Sequence, residues 1–195
     1  MVKFALQLRA NLDNISNFEP HLGCVWHLRL KCTNCGEETS AWQAIASTQR
    51  FPMKGSGGNA NFVLECKSCS RENSMDVLNE KIQAYYAENS SQFVTVIVFD
   101  CRGVEPVAFD ARNGFTARAV RSGTIFADVK FDSKEWAEYE KRGKQAVGIY
   151  DLEHKFVEVT LAAHLPLHLR GMLVLSSGTK QGTPAMGPRD VWPSS

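Results

Sequence analysis

The chain has 195 residues, of which 44% are hydrophobic, and its formal net charge is +1. This length suits one domain with a small appendage, and a domain of this size buries roughly 70% of the surface that its unfolded chain exposes. The near-zero charge lacks the excess of Lys and Arg on which nucleic-acid binding depends. No run approaches the roughly 18 apolar residues of a membrane span, and the N-terminus lacks the apolar core of a signal peptide. We therefore expect a protein of the cytoplasm or the nucleus.

The first half of the chain predicts β-strands. Residues 3–12 alternate between apolar and polar side chains, which is typical of a strand with one buried face. Residues 25–31 alternate in the same way and lead directly to Cys32. Residues 62–64 predict another strand, which leads to Cys66. The sequence thus brings one cysteine to the end of each of two predicted strands.

Each of these cysteines opens a C-x-x-C pair, Cys32-Thr33-Asn34-Cys35 and Cys66-Lys67-Ser68-Cys69. Two intervening residues let both sulfurs of a pair turn toward one point, and two such pairs complete a four-thiolate shell. Four cysteines are typical of a closed structural Zn²⁺ site. The sequence therefore predicts one structural Zn²⁺ per chain, with these ligands: Cys32, Cys35, Cys66 and Cys69.

Four other interpretations of the two pairs remain open: disulfides, a redox dithiol, another thiophilic metal and a coincidental spacing. Disulfides require an oxidising compartment, and nothing in the sequence indicates secretion. A redox C-x-x-C usually opens a helix after a strand. Both pairs follow strand-like runs here, but no clear helical periodicity follows either one. The pattern therefore favours zinc over these alternatives.

The second half also predicts mainly strands. Residues 93–99 are apolar on both faces apart from Thr95, which is typical of a central strand buried on both sides. Further short strands are predicted in the rest of this half, over 104–109, 115–120, 125–131 and 148–159. The sequence as a whole predicts a mainly β fold with the four-cysteine zinc site.

One segment predicts a short helix, over about 133–142. Asp132 can cap a helix start, and Glu135 lies three residues later, as in a capping box. Trp136 and Tyr139 would share one helix face, and Gly143 is a typical helix end.

The composition changes after about residue 160. Pro, Gly and Ser recur through residues 160–195, and the longest apolar run is short. We predict a zinc-binding β domain over 1–159 and a tail over 160–195 that is disordered or loosely packed. Two cysteines, Cys24 and Cys101, lie outside the C-x-x-C pairs, and we expect both to be buried thiols.

Several motifs together resemble the eukaryotic family of CXXC-motif-containing zinc-binding proteins, over about residues 1–157. They are Phe4-Ala5-Leu6-Gln7-Leu8, Lys31-Cys32-x-x-Cys35-Gly36-Glu37, Cys66-Lys67-x-Cys69, Arg71-Glu72-Asn73-Ser74, Cys101-Arg102-Gly103-x-Glu105-Pro106-Val107, Ser122-Gly123-Thr124 and Val147-Gly148-Ile149-Tyr150. The resemblance implies a multi-sheet β fold with partial barrels and one zinc on the four cysteines. It also implies no established enzymatic activity, and contact with metal-handling proteins such as copper chaperones.

These observations favour a non-enzymatic zinc-binding protein that acts as a protein-interaction module. A closed four-cysteine site has no position for the bound water through which zinc usually catalyses reactions. The chain also lacks a nucleophile motif such as G-x-S-x-G.

Two alternative functions remain. A thiol-based metal-handling or redox protein would exchange metal or electrons at its cysteines, and Cys24 or Cys101 near the site would favour it. A nucleic-acid-binding zinc module would use Lys31, Lys67 and Arg71 beside the two pairs, but the near-zero net charge makes this the weaker hypothesis.

Overall fold

The computed structural model describes residues 1–55 and 57–159. Fifteen strands are assigned there, together with two single-turn 3₁₀ helices, Asn79–Lys81 and Ala87–Asn89. In chain order the strands are β1 (Val2–Asp13), β2 (Ile15–Pro20), β3 (Val25–Cys32), β4 (Gln43–Ala46), β5 (Phe51–Pro52), β6 (Asn59–Ala60), β7 (Phe62–Glu65), β8 (Glu72–Val77), β9 (Tyr85–Tyr86), β10 (Val94–Arg102), β11 (Val104–Asp110), β12 (Phe115–Ala119), β13 (Ile125–Val129), β14 (Trp136–Glu140) and β15 (Gln145–Val159). The predicted mainly β class is confirmed. The predicted tail lies outside the described residues, so the boundary at residue 159 stays a prediction.

The strands form three main sheets and one small hairpin. The largest sheet has the order β14-β15-β1-β10-β8-β7 and forms a half-barrel. A three-stranded sheet has the order β11-β3-β4, and a four-stranded sheet has the order β13-β12-β2-β9. Strands β5 and β6 pair as the hairpin. No helix among the described residues is long and apolar enough to cross a membrane.

One aromatic core joins the three main sheets. Trp26 on β3 is 1% exposed. Its ring lies edge-on to Phe99 of the half-barrel at 5.7 Å and to Phe115 of the four-stranded sheet at 6.3 Å. It also contacts Phe109 on β11, with ring centroids 5.9 Å apart. Aromatic side chains bury large apolar areas, and edge-to-face pairs add to that stabilisation. The sheets are therefore held together by a core that is independent of the cysteine pairs.

The two strongest strand predictions are confirmed, and burial explains both. On β1, Leu6, Leu8 and Ala10 are buried, while Gln7 and Arg9 alternate toward solvent. Strand β10 lies between β1 and β8, and its residues 96–99 are all buried. A strand in the middle of a sheet with both faces covered has no need for polar alternation.

The predicted helix over 133–142 is wrong, because this segment is a β-hairpin arm. The N–H groups of Asp132 and Glu135 each donate to the carbonyl oxygen of the other, both at 2.9 Å. Between them Ser133 and Lys134 have φ values of 48° and 71°. Two consecutive left-handed residues form the tight turn that matches the twist of a hairpin. Strand β14 follows and pairs antiparallel with β15.

Long-range packing explains why the helix signals failed. Trp136 packs against Phe126 of the neighbouring sheet, with ring centroids 5.1 Å apart, whereas Tyr139 is exposed. The two aromatic residues therefore share no buried face. The expected helix-ending Gly143 lies in the turn after β14, where a Cβ atom would collide with the Glu140 carboxylate.

Glu140 is a buried carboxylate that connects this turn to a distant one. It is 1% exposed and accepts hydrogen bonds from the N–H groups of Gly143 at 2.6 Å and Arg142 at 2.9 Å. The Thr124 hydroxyl donates to it at 3.1 Å. Burial raises the pKa of Glu140, but these donors favour the charged form and bring the pKa below its ordinary value of 4.5.

We expect Glu140→Gln to lower the melting temperature at pH 7 by several degrees, because the amide cannot accept all of these bonds. The pKa of Glu140 is lower in the folded state, so the unfolded chain takes up the proton first. The stabilisation by Glu140 is therefore complete above pH 4.5 and is lost as the pH falls through the folded pKa. Melting curves of wild type and variant should converge over that range.

The matched control is Glu138→Gln, because Glu138 lies on the same strand and is exposed. Its melting curve should follow that of wild type. A loss in the control as large as in Glu140→Gln, or a difference that persists unchanged into acid, would contradict the assignment.

Candidate metal centre

The two cysteine pairs lie at the ends of strands from different sheets. Cys32 is the last residue of β3, in the three-stranded sheet. Cys66 directly follows β7, and Cys69 lies in the turn that leads to β8, at one edge of the half-barrel. A bond between the pairs would therefore cross-link two sheets.

Both pairs adopt the same turn. The N–H of Gly36 donates to the carbonyl oxygen of Cys32, and the N–H of Ser70 donates to that of Cys66, both at 2.9 Å. Gly36 has a φ of 80° and Ser70 a φ of 56°. Glycine adopts this left-handed region without strain, whereas serine does so at some cost. The second turn thus keeps its geometry although its sequence lacks the glycine.

The four sulfurs converge, and their separations fit a tetrahedral metal shell. All four lie within 4.8 Å of one another. The Sγ atoms of Cys32 and Cys69 are 3.8 Å apart, and those of Cys35 and Cys66 are 3.5 Å apart. A tetrahedron with Zn–S bonds of about 2.3 Å has S–S edges of about 3.8 Å. A disulfide needs about 2.05 Å. The spacing therefore fits one Zn²⁺ and not two disulfides.

Hydrogen-bond donors surround the sulfurs. The backbone N–H groups of Cys35 and Asn34 point at the Cys32 sulfur, that of Glu37 at the Cys35 sulfur and that of Arg71 at the Cys69 sulfur. Such N–H groups stabilise thiolates. The donor set is thus suited to the deprotonated ligands that zinc requires.

The pKa values of the thiols follow from these contacts. Burial raises the pKa of Cys32, but its N–H donors lower it to about 6. The Arg71 N–H lowers the pKa of Cys69. At Cys35 the Glu37 N–H lowers the pKa, but burial and the neighbouring sulfurs raise it to about 12. A thiolate at one cysteine thus disfavours deprotonation of a neighbouring thiol. A divalent cation bound between the sulfurs would stabilise all of the thiolates together.

Two residues that the sequence analysis did not assign to the site support Cys32. Asn73 is 2% exposed, and its side-chain N–H donates to the Cys32 sulfur at 3.6 Å. Gly103 has a φ of 72°, and its carbonyl oxygen accepts the N–H of Thr33 at 3.0 Å. A Cβ atom on Gly103 would collide with the Asn73 amide. Both residues occur in motifs of the family resemblance, but no spacing rule connects them to the cysteines.

The two remaining cysteines do not join the cluster. Cys24 is buried near the carbonyl oxygen of Asn113, and burial raises the pKa of its thiol to about 12. Cys101 is buried on β10, where burial and then the charge of Asp100 raise its pKa to about 12. Both thiols match the buried thiols that we expected.

The arrangement is that of a closed site. Zinc held by four thiolates acts as a cross-link, and this shell has no position for a substrate or a water molecule. The chain's own residues orient the sulfurs, donate hydrogen bonds to them and partly shield them, because Cys32 and Cys66 are buried while Cys35 is exposed.

We expect Asn73→Leu to weaken zinc binding about 10–100-fold, because it removes a hydrogen bond to a ligand sulfur. Asn73→Asp should weaken it further by placing a carboxylate against the thiolate. Competition with a chromogenic chelator measures the affinity, and the charge-transfer bands of the Co²⁺-substituted protein report the ligand environment. Wild-type affinity in Asn73→Leu would contradict a role for this amide.

We also expect Cys32→Ser to increase amide exchange mainly over residues 32–42 and 62–73, which flank the cysteines. Strands β1 and β10 should stay protected, because they are paired with each other and packed in the core. Hydrogen exchange read by mass spectrometry tests this, with Cys24→Ser as the control that keeps all four ligands. A uniform loss of protection over the described residues would contradict the expectation.

Comparisons with known proteins agree with this site. The sequence model of one protein family, the eukaryotic CXXC motif containing zinc binding proteins, matches residues 5–157 of this chain. The member from Homo sapiens is 44% identical over 160 residues, which cover 81% of this chain and 99% of that protein. The member from Xenopus laevis is 44% identical over 159 residues, with the same coverage.

Two solved structures share the fold. The crystal structure of C1orf123 has a TM-score of 0.76 at 43% identity and covers 80% of this chain and 99% of that one. A hypothetical protein from Plasmodium falciparum has a TM-score of 0.73 at 21% identity and covers 80% and 100%. The family match and the clustered thiols together bear out the prediction of one structural Zn²⁺. This chain belongs to the eukaryotic family of CXXC-motif-containing zinc-binding proteins.

Proposed function

We propose that this protein is a non-enzymatic zinc-binding protein that acts as a protein-interaction module, with Cys32, Cys35, Cys66 and Cys69 as the ligands of its zinc. One observation carries the proposal: four sulfurs from two sheets lie within 4.8 Å of one another. With all four bound, the metal has no open position, so its role is to hold two sheets and the surface between them in one arrangement.

A structural role for the zinc suits binding better than catalysis. Zinc enzymes keep a ligand position for water or substrate, and four thiolates fill that position. The surface beside the site is instead shaped by the metal, because segments from two sheets meet there. We propose that a partner protein recognises this surface, and that a metal-handling protein such as a copper chaperone is one candidate. We place the protein in the cytoplasm or nucleus, where free thiols persist.

The alternative of a thiol-based metal-handling or redox protein has less support. Cys24 and Cys101 lie outside the cluster, and their raised pKa values leave both thiols protonated at neutral pH. Thiol exchange requires a thiolate and access to it. These two cysteines are therefore poor acceptors for metal or electrons from the site.

The nucleic-acid hypothesis is weaker still. Lys31 forms a salt bridge with Glu105 at 3.0 Å, and Arg71 donates to the side chain of Asn34 at 3.4 Å. The salt bridge partly neutralises Lys31, which therefore contributes less to phosphate binding than a free cation, whereas the bond of Arg71 to a neutral amide leaves its charge in place. A salt-dependent nucleic-acid binding assay remains the direct test.

The metal content and the thiol count test the proposal. We expect one zinc per purified chain, and no rapid reaction of the native protein with a thiol reagent, because zinc covers four thiols and burial covers two. Stepwise titration with a mercurial should release the zinc once four thiols have reacted, and denaturant with a chelator should expose all six. No metal, together with thiols that oxidise in pairs at a mild potential, would overturn the structural site in favour of redox chemistry.

A further inference from the structure

A cleft opens directly beside the metal centre, between the two cysteine turns. Its volume is about 110 Å³. Leu30, Leu64 and Val104 are the branched aliphatic residues of its lining, to which Cys32 and Cys66 also contribute. Four exposed charged residues surround its mouth: Glu37, Glu38, Glu65 and Lys67. We call this feature the knuckle cleft.

The two walls of the knuckle cleft come from different sheets. One wall is residues 37–41, which follow Cys35 and attach to β3 through the N–H of Thr39, which donates to the carbonyl oxygen of Leu30 at 2.8 Å. The other wall is residues 64–67, at the end of β7 on the edge of the half-barrel. Each wall adjoins one cysteine pair, and the four sulfurs lie within 4.8 Å of one another, so a metal held by all four would fix the two walls relative to each other.

The size of the knuckle cleft suits one aliphatic side chain. A dry cavity of about 150 Å³ accommodates benzene. A cleft of 110 Å³ with Leu and Val side chains inside is therefore suited to a Leu, Ile, Val or Met side chain rather than an aromatic ring.

The charge around the knuckle cleft is negative. Among the described residues, neither Glu37 nor Glu38 takes part in a salt bridge. The Glu65 carboxylate forms a salt bridge with Lys54 at 2.6 Å. Of the residues that the structure describes, Lys67 is the one cation in the lining of the cleft. Four thiolates also outnumber the charges of Zn²⁺, so a loaded centre adds further negative charge at Cys32 and Cys66.

We propose that the knuckle cleft binds a segment of a partner protein that inserts one aliphatic side chain and places Lys or Arg beside it, and that binding requires zinc. This inference rests on the proposed function as an interaction module. Basic residues of the partner would meet Glu37 and Glu38, which steers association and fixes the register of the segment. Loss of zinc would release the two walls from each other and remove the binding site.

The test begins with a selection from a phage-displayed library of random heptapeptides on the zinc-loaded full chain. We expect the selected sequences to share one aliphatic residue next to Lys or Arg. A synthetic peptide of that consensus should shift the methyl NMR signals of Leu30, Leu64 and Val104. Replacing its aliphatic residue by Ser, or its cations by Glu, should weaken binding at least tenfold, and added salt should weaken it as well.

Two matched variants locate the binding site. Ala41 is exposed and lines the knuckle cleft, so Ala41→Phe should fill it and weaken the peptide at least tenfold. Ala44 is exposed on β4 outside the cleft, so Ala44→Phe should bind like wild type. Zinc removal should also abolish binding.

The remaining outcomes show whether the knuckle cleft alone is wrong or whether the proposed function as an interaction module is wrong as well. Zinc-dependent peptides that bind Ala41→Phe normally would overturn the knuckle cleft and leave the interaction module standing. A selection that enriches no zinc-dependent sequence would overturn both. Concentration-dependent shifts of the same methyl groups in the protein alone would assign the cleft to a second copy. Selected sequences that match residues 160–195 would assign it to this chain's own tail. Either of these last two results would contradict the proposal that a segment of a partner protein occupies the cleft.

Discussion

Four sulfurs must meet at one point, and this constraint links two sheets a second time, in addition to the contacts of the aromatic core. Among its described residues, the segment between Cys35 and Cys66 contains only the short β4 and the two-residue strands β5 and β6 before it reaches β7. Few large buried side chains lie in it, Ile45 among them. A cross-link at both ends lowers the entropy that such a loop would otherwise gain on unfolding. A metal at this site would therefore stabilise the segment between the two cysteine pairs, as the aromatic core stabilises the rest of the described fold.

The second half of the chain supports this centre from outside. The turn between β10 and β11 places Gly103 against Thr33, and Val104 pairs with Cys32 in the neighbouring strand. This close approach leaves space for the Asn73 amide to reach the Cys32 sulfur. Hydrogen bonds around a metal site orient its ligands and adjust their basicity. The site is thus a product of both halves, although all four clustered cysteines come from the first half.

The same convergence shapes the surface beside the metal. Segments that follow Cys35 and precede Cys66 face each other across an apolar cleft whose mouth carries mostly carboxylates. These carboxylates lie close together because the two cysteine turns that carry them lie close together. A structural ion can in this way create a recognition surface without binding a substrate itself.

Local pattern determined much of this protein. The alternation over residues 3–12 predicted β1, the two-faced apolar run predicted the central strand β10, and the paired C-x-x-C spacing predicted the four thiols that converge. These features follow from short-range rules, because strand faces repeat every two residues and a two-residue gap lets both sulfurs of a pair turn to one point.

Tertiary structure decided what those rules could not. Asp132, Glu135 and Trp136 form a helix-like pattern, but pairing with β15 and packing on Phe126 turn the segment into a hairpin. Contacts of Asn73 and Gly103 with the metal site depend on which sheets meet, and sequence spacing does not encode that meeting. Local conformational preferences contribute little free energy. Long-range burial and strand pairing outweigh them where they favour a different structure.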